Sequence, residues 1–106
     1  MQFLLNFGAD VNVCDATGIN SFFKAFENEN DGIAQLLLNN GADINVSNCN
    51  GESLLCIASE NGNDKIVQRL LNYGANVNLC DNLKRSPLYK ACENGHDIIV
   101  KLLLNN

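Results

Sequence analysis

The stretch GADINVSNCNGESLLCIASENGNDKIVQRLLNY, residues 41–73, decides the fold, because its landmarks recur 33 positions away on either side. Gly8, Gly41 and Gly74 open the phrases GADVNVCD, GADINVSN and GANVNLCD. Asn12, Asn45 and Asn78 keep step, as do Ala25, Ala58 and Ala91, and Asp31, Asp64 and Asp97. The apolar sets Ile33/Ile66/Ile99 and Leu37/Leu70/Leu103 complete the register. So many matches at one spacing identify an internal repeat.

The unit can be read physically. Ser53 can cap a helix through LLCIASEN, with Gly62 as a left-handed stop. Asn63 and Asp64 suit the start of a second helix, whose Ile66, Val67, Leu70 and Leu71 form one stripe before Gly74. The stretch ANVNLCDNLKR (75–85) is too polar and turn-rich for a helix, and its alternation suits a short extended finger. Two helices of about ten residues cannot bury both faces alone, so neighbouring units must stack. The expectation is an all-α solenoid forming a single domain over 1–106. It has repeats at 8–40, 41–73 and 74–106, and an orphan second helix at 1–7. Leu70 is expected to be buried between repeats.

The sequence SPLYKACENGHDIIVKLLLNN (86–106), together with the Gly-Ala-Asp/Asn-Val/Ile-Asn loops, resembles the ankyrin repeat, and the resemblance covers essentially the whole chain. It implies helix pairs with β-hairpin fingers projecting at about a right angle. It also implies a protein-binding, non-catalytic role in which finger tips and first helices contact the partner.

Composition agrees with a folded binding module. The apolar fraction is 46% and the formal net charge is −5, so the chain lacks the Lys/Arg excess with which proteins neutralise nucleic-acid phosphates. Charge is uneven: residues 1–47 carry net −5, 48–80 net −1 and 81–106 net +1. No run approaches the roughly 18 apolar residues of a membrane span. The start, MQFLLNFGAD, lacks a basic leader region. Five cysteines with no C-x-x-C pair argue against a disulfide framework or a zinc site, and predict reduced thiols in an intracellular, cytoplasmic setting. No cofactor is expected.

The repeats depart from the family's Thr-Pro-Leu-His tetrapeptide. The copies here are Asn20-Ser21-Phe22-Phe23, Ser53-Leu54-Leu55-Cys56 and Ser86-Pro87-Leu88-Tyr89. None has the histidine whose ring ties adjacent turns in the family, so that tie must be replaced or lost. In the first repeat Glu29 stands where Gly62 and Gly95 end their helices, and Gly32 stands at a helical position. The region 27–32 is expected to be the softest.

Candidate sites divide into chemistry and recognition. His96 lies near Glu93 and Cys92, but Gly95 breaks the helix between them and no second His exists, which favours a structural role at the start of the second helix. Glu27, Glu60 and Glu93 recur at one position and Asn28, Asn61 and Asn94 beside it, giving columns that could meet a basic partner or simply end an exposed helix. The finger tips vary instead of repeating. Ala16, Thr17 and Ile19, then Ser47, Cys49, Asn50 and Glu52, then Asn82, Leu83 and Arg85 are the candidate partner contacts, with Ile19 and Leu83 as apolar anchors. Asn12, Asn45 and Asn78 match, by the resemblance, the hairpin Asn that asparaginyl hydroxylases modify in some family members. The alternative is an amide that braces its own loop.

LLLNN occurs at 36–40, where it runs into GADINV, and again at 102–106. This predicts a piece of a longer stack whose uncapped ends, with Leu88, Ile99 and Leu103 uncovered, could self-associate. A regulatory or substrate-recruiting segment of a larger enzyme is the alternative setting.

Overall fold

The computed structural model describes residues 23–27 and 31–106. Residues 23–27 form a helical turn. Five helices follow: α1 (Asp31–Asn39), α2 (Leu54–Asn61), α3 (Asp64–Asn72), α4 (Pro87–Glu93) and α5 (Asp97–Leu104).

The helix limits follow from local chemistry. The Ser53 hydroxyl accepts the Cys56 N–H at 3.2 Å and the Ser86 hydroxyl accepts the Tyr89 N–H at 3.0 Å, satisfying helix-end donors that would otherwise lack partners. Pro87 begins α4, where its missing N–H costs nothing. Gly62 ends α2 at φ 78°, and the Asn63 N–H turns back to the Ala58 carbonyl at 3.0 Å. Asp64 and Asp97 lie in the first turns of α3 and α5, on the favourable side of the helix dipole.

Helices α2 and α3 form one antiparallel pair and α4 and α5 the next. Helix α2 packs on α4, and α3 on α5. Leu54, Leu55, Ala58, Val67, Leu70, Ala91 and Ile99 fill the seam and are buried. Each such Leu or Ile contributes roughly 1.5–3 kcal/mol relative to an exposed position. Phe26, also buried, meets the Tyr73 ring edge-on at 5.6 Å and 79°, joining the 23–27 turn to the end of α3.

Three expectations need correction. No β-strand occurs among the described residues, and the finger of 41–53 shows only one antiparallel bridge, Ser47 to Ser53. The reason lies in the side chains. Asn48 Oδ1 takes the N–H groups of Asn50 and Glu52, and Asp81 Oδ1 takes those of Leu83 and Arg85, so the finger closes as a braced turn. Second, Ile99 and Leu103 are buried and Leu88 half-buried, because the apolar stripe of α5 faces back onto α4 and α3. Ile98 and Leu104 are the exposed apolar residues of that helix. Third, Asn45 does not brace only its own loop. Its Oδ1 accepts the Asn76 N–H of the next finger at 2.8 Å.

The orphan helix at 1–7 lies outside the described residues, as do Glu29 and positions 28–30 of the softer region. Gly32 is exposed on α1.

Candidate functional site

The fingers after α1 and α3 lie side by side, and the contacts between them set their register. The Asn82 N–H donates to the Asn50 carbonyl at 2.9 Å, and Asn82 Nδ2 donates to the Cys49 carbonyl at 2.9 Å. The approach is close: a Cβ on Gly51 would lie 2.8 Å from the Asn82 nitrogen. Only glycine fits there. One repeat later the same turn position is Lys84, which adopts φ 65° despite its side chain. A left-handed conformation costs a non-glycine residue roughly 1–2 kcal/mol.

Between the fingers runs a groove lined by Asn50, Glu52, Asp81, Asn82, Leu83 and Arg85. Leu83 stands at its edge and is 71% exposed. Beneath the groove lies a cluster of charges. Lys90, only 2% exposed, donates to Glu52 Oε2 at 3.0 Å and Glu60 Oε1 at 2.9 Å, and its Nζ lies 3.4 Å from Asp81 Oδ2. Arg85 Nε completes the set on Asp81 Oδ2 at 2.9 Å.

Opposing effects act on these groups. Burial acts to raise the pKa of Asp81, but hydrogen bonds from the Arg85 backbone and side chain, Leu83 and Lys90 outweigh it and hold the carboxyl at about 2. Burial acts to lower the pKa of Lys90, and bonding to Glu60 and Glu52 reverses this and pushes it up. The Asn48 amide, with Lys90, lowers Glu52 against its own burial. Asp81, Glu52 and Lys90 therefore stay ionised near neutrality.

Two more ties cross the seam between the pairs. Cys56, at the position of the family's missing histidine, donates its thiol to the Leu79 carbonyl at 3.4 Å, so the tie is replaced in this copy. Burial pushes that thiol's pKa up, which keeps it protonated as a donor. His96 Nε2 lies 3.1 Å from the Glu60 carbonyl, which can only accept, so that nitrogen carries the proton. This gives His96 a structural contact between the helix pairs.

The predicted recognition residues fall into groups. Ala16, Thr17, Ile19, Asn28 and Asn12 lie outside the described residues. Ser47, Cys49, Asn50, Asn82 and Leu83 come together, exposed, on the paired fingers. Asn61, Glu93, Asn94 and Asn78 are also exposed. Glu27 is exposed and pairs with Lys24 at 3.1 Å. Glu52, Glu60 and Arg85 point into the ion cluster, so the glutamate column is not uniformly free. The sequence reading did not single out Lys84, Lys90 or Asp81 for this region. Lys84 could have been found by register, since Gly18 and Gly51 precede it at the same position.

Among the described residues, no three His, Cys, Asp or Glu side chains form a metal-binding group. No described helix is long and apolar enough to cross a membrane.

The family comparison agrees with this geometry. A family model described as "Ankyrin repeats (3 copies)" matches residues 1–81 and again 22–106. The chain belongs to the ankyrin repeat family. Ankyrin repeats are generally protein–protein interaction modules and typically non-catalytic. No curated protein matches the sequence.

Proposed function

We propose that the chain is a protein-recognition module whose partner lies across the paired fingers, with Leu83 as the apolar anchor. The supporting observation is that the tip is held to its neighbour by the Asn82–Asn50 and Asn82–Cys49 bonds while Leu83 remains 71% exposed. A rigid apolar side chain within a polar rim loses little entropy on binding and supplies most of the binding energy. Lys84 beside it adds a cation held at a left-handed position. The repeat boundaries 8–40, 41–73 and 74–106 are part of the same proposal.

The test is affinity capture from the native source, followed by titration of the captured protein against purified chains. Leu83→Asp should weaken binding by at least about tenfold, the scale of a hot-spot residue. Gln68→Ala, on the exposed side of α3, should leave it unchanged. Equal affinity for Leu83→Asp and the parent would contradict the proposal.

A further inference from the structure

One cation in the groove between the fingers keeps its main binding edge open. The Arg85 backbone N–H donates to Asp81 Oδ1 and its Nε to Asp81 Oδ2, each at 2.9 Å. The Asp81 side chain is 1% exposed, whereas that of Arg85 is 36% exposed and lines the groove. The guanidinium is thus held from below through Nε, while Nη1 and Nη2 have no partner among the described residues. Those nitrogens form the planar fork that matches a carboxylate with paired hydrogen bonds.

The surroundings favour the same ligand. The groove's own acids are already engaged. Glu52 accepts from Asn48 Nδ2 at 3.1 Å and Lys90 Nζ at 3.0 Å, and Asp81 faces Arg85 and Lys90. Lys84, exposed on the turn beside Arg85, adds a second positive charge. Leu83 offers apolar surface at the groove edge. Both walls belong to fingers within the described residues.

We infer that Arg85 selects a partner segment in which a Glu or Asp side chain lies next to an apolar one, with the carboxylate on the Nη fork and the apolar side chain on Leu83. This rests on the recognition role proposed above and adds the chemistry of what the paired fingers recognise. A guanidinium already oriented by Asp81 loses little freedom when it binds.

A random-sequence peptide display library, panned on the purified chain, tests this. Enriched peptides should carry Asp or Glu next to an apolar residue. In a synthetic copy of one, replacing the acid by its amide should weaken binding by at least about tenfold. In Arg85→Lys, which can still pair with Asp81 but has no fork, the gap between acid and amide peptides should shrink severalfold. A merely structural role for Arg85 would weaken both peptides alike and leave the gap intact. Should Arg85→Lys not fold, Lys84→Glu, outside the ion cluster, decides. It places a like charge beside the incoming carboxylate, so it should narrow the gap as well. Enriched peptides without an acid preference, or a gap that survives these substitutions, would overturn the inference, as would a library with no enrichment. The recognition role would still stand if Leu83→Asp abolished binding of the enriched peptides. Peptides that bind Leu83→Asp as tightly as the parent would overturn both.

Discussion

Lys90 Nζ and Glu52 Oε2 stand 3.0 Å apart in the seam between two helix pairs, while Ile57 and Ile19 occupy the same two register positions one repeat earlier. The sequence thus places a charged pair at these two register positions in one repeat and an apolar pair in the repeat before it. Removing one partner of a buried pair leaves the others desolvated and unpaired. Lys90→Met should therefore cost about 3 kcal/mol, the low end of the usual range because Glu60 is half exposed. The double change Lys90→Ile with Glu52→Ile copies the earlier repeat and should recover most of that loss. Urea unfolding of the three proteins checks this. A double variant as unstable as Lys90→Met would show that the cluster has no apolar equivalent.

The cluster also sets a pH window. Asp81 is held at about 2 against its ordinary 3.8, and Glu52 is lowered from 4.5. In acid the unfolded chain binds these protons first, so their stabilisation is complete above the unfolded values and is lost as pH falls toward 2. Lys90 is raised from 10.5, so its contribution is complete below that value and is lost as pH rises through its folded value. Thermal melts should show a plateau near neutrality, a fall below about pH 4 and another in strong alkali. In Lys90→Ile/Glu52→Ile the acid limb should be shallower. Identical acid limbs would place the effect elsewhere.

Gly62 and Gly95 both adopt left-handed backbone, at φ 78° and 71°, but only Gly62 is covered, by the His96 ring. Gly95→Ala should cost roughly 1 kcal/mol from conformation alone. Gly62→Ala should cost more because its Cβ meets the imidazole. In a His96→Ala background the two alanine substitutions should cost the same. Thermal unfolding of the five variants gives the comparison, and a persistent gap would mean that the ring is not the cause.

Leu70 is fully buried, where α3 meets the neighbouring pair. Leu70→Ala should cost about 2–5 kcal/mol by denaturant unfolding. A loss below about 1 kcal/mol would mean that the repeat register is wrong.

Much of this architecture was legible in the sequence, for physical reasons that vary by residue. Ser53, Ser86, Gly62 and the Leu70 stripe act through neighbours within one or two helical turns, so their roles follow from spacing. Lys90 and Glu52 are 38 residues apart and resemble ordinary surface charges until stacking brings them together. The readable trace is substitution in register: Ile19, Glu52 and Arg85 at one position, Lys24, Ile57 and Lys90 at the other. The fingers were less legible, because their alternation suggests extended strands. The Asn48 and Asp81 carboxamide and carboxylate instead take the N–H groups that a strand ladder would need. Leu83 was legible as exposed, but not the bonds between fingers that fix its place.

Hydrogen exchange at the Asn76 and Asn82 amides tests the central claim most directly. Both residues lie exposed in loops, yet each N–H donates to the preceding finger, at 2.8 Å to Asn45 Oδ1 and 2.9 Å to the Asn50 carbonyl. If the fingers are locked in register by stacking, these two amides should exchange as slowly as the core of α3 and speed up together with it in Leu70→Ala. Exchange at the rate of an unstructured peptide while α3 stays protected would contradict the account.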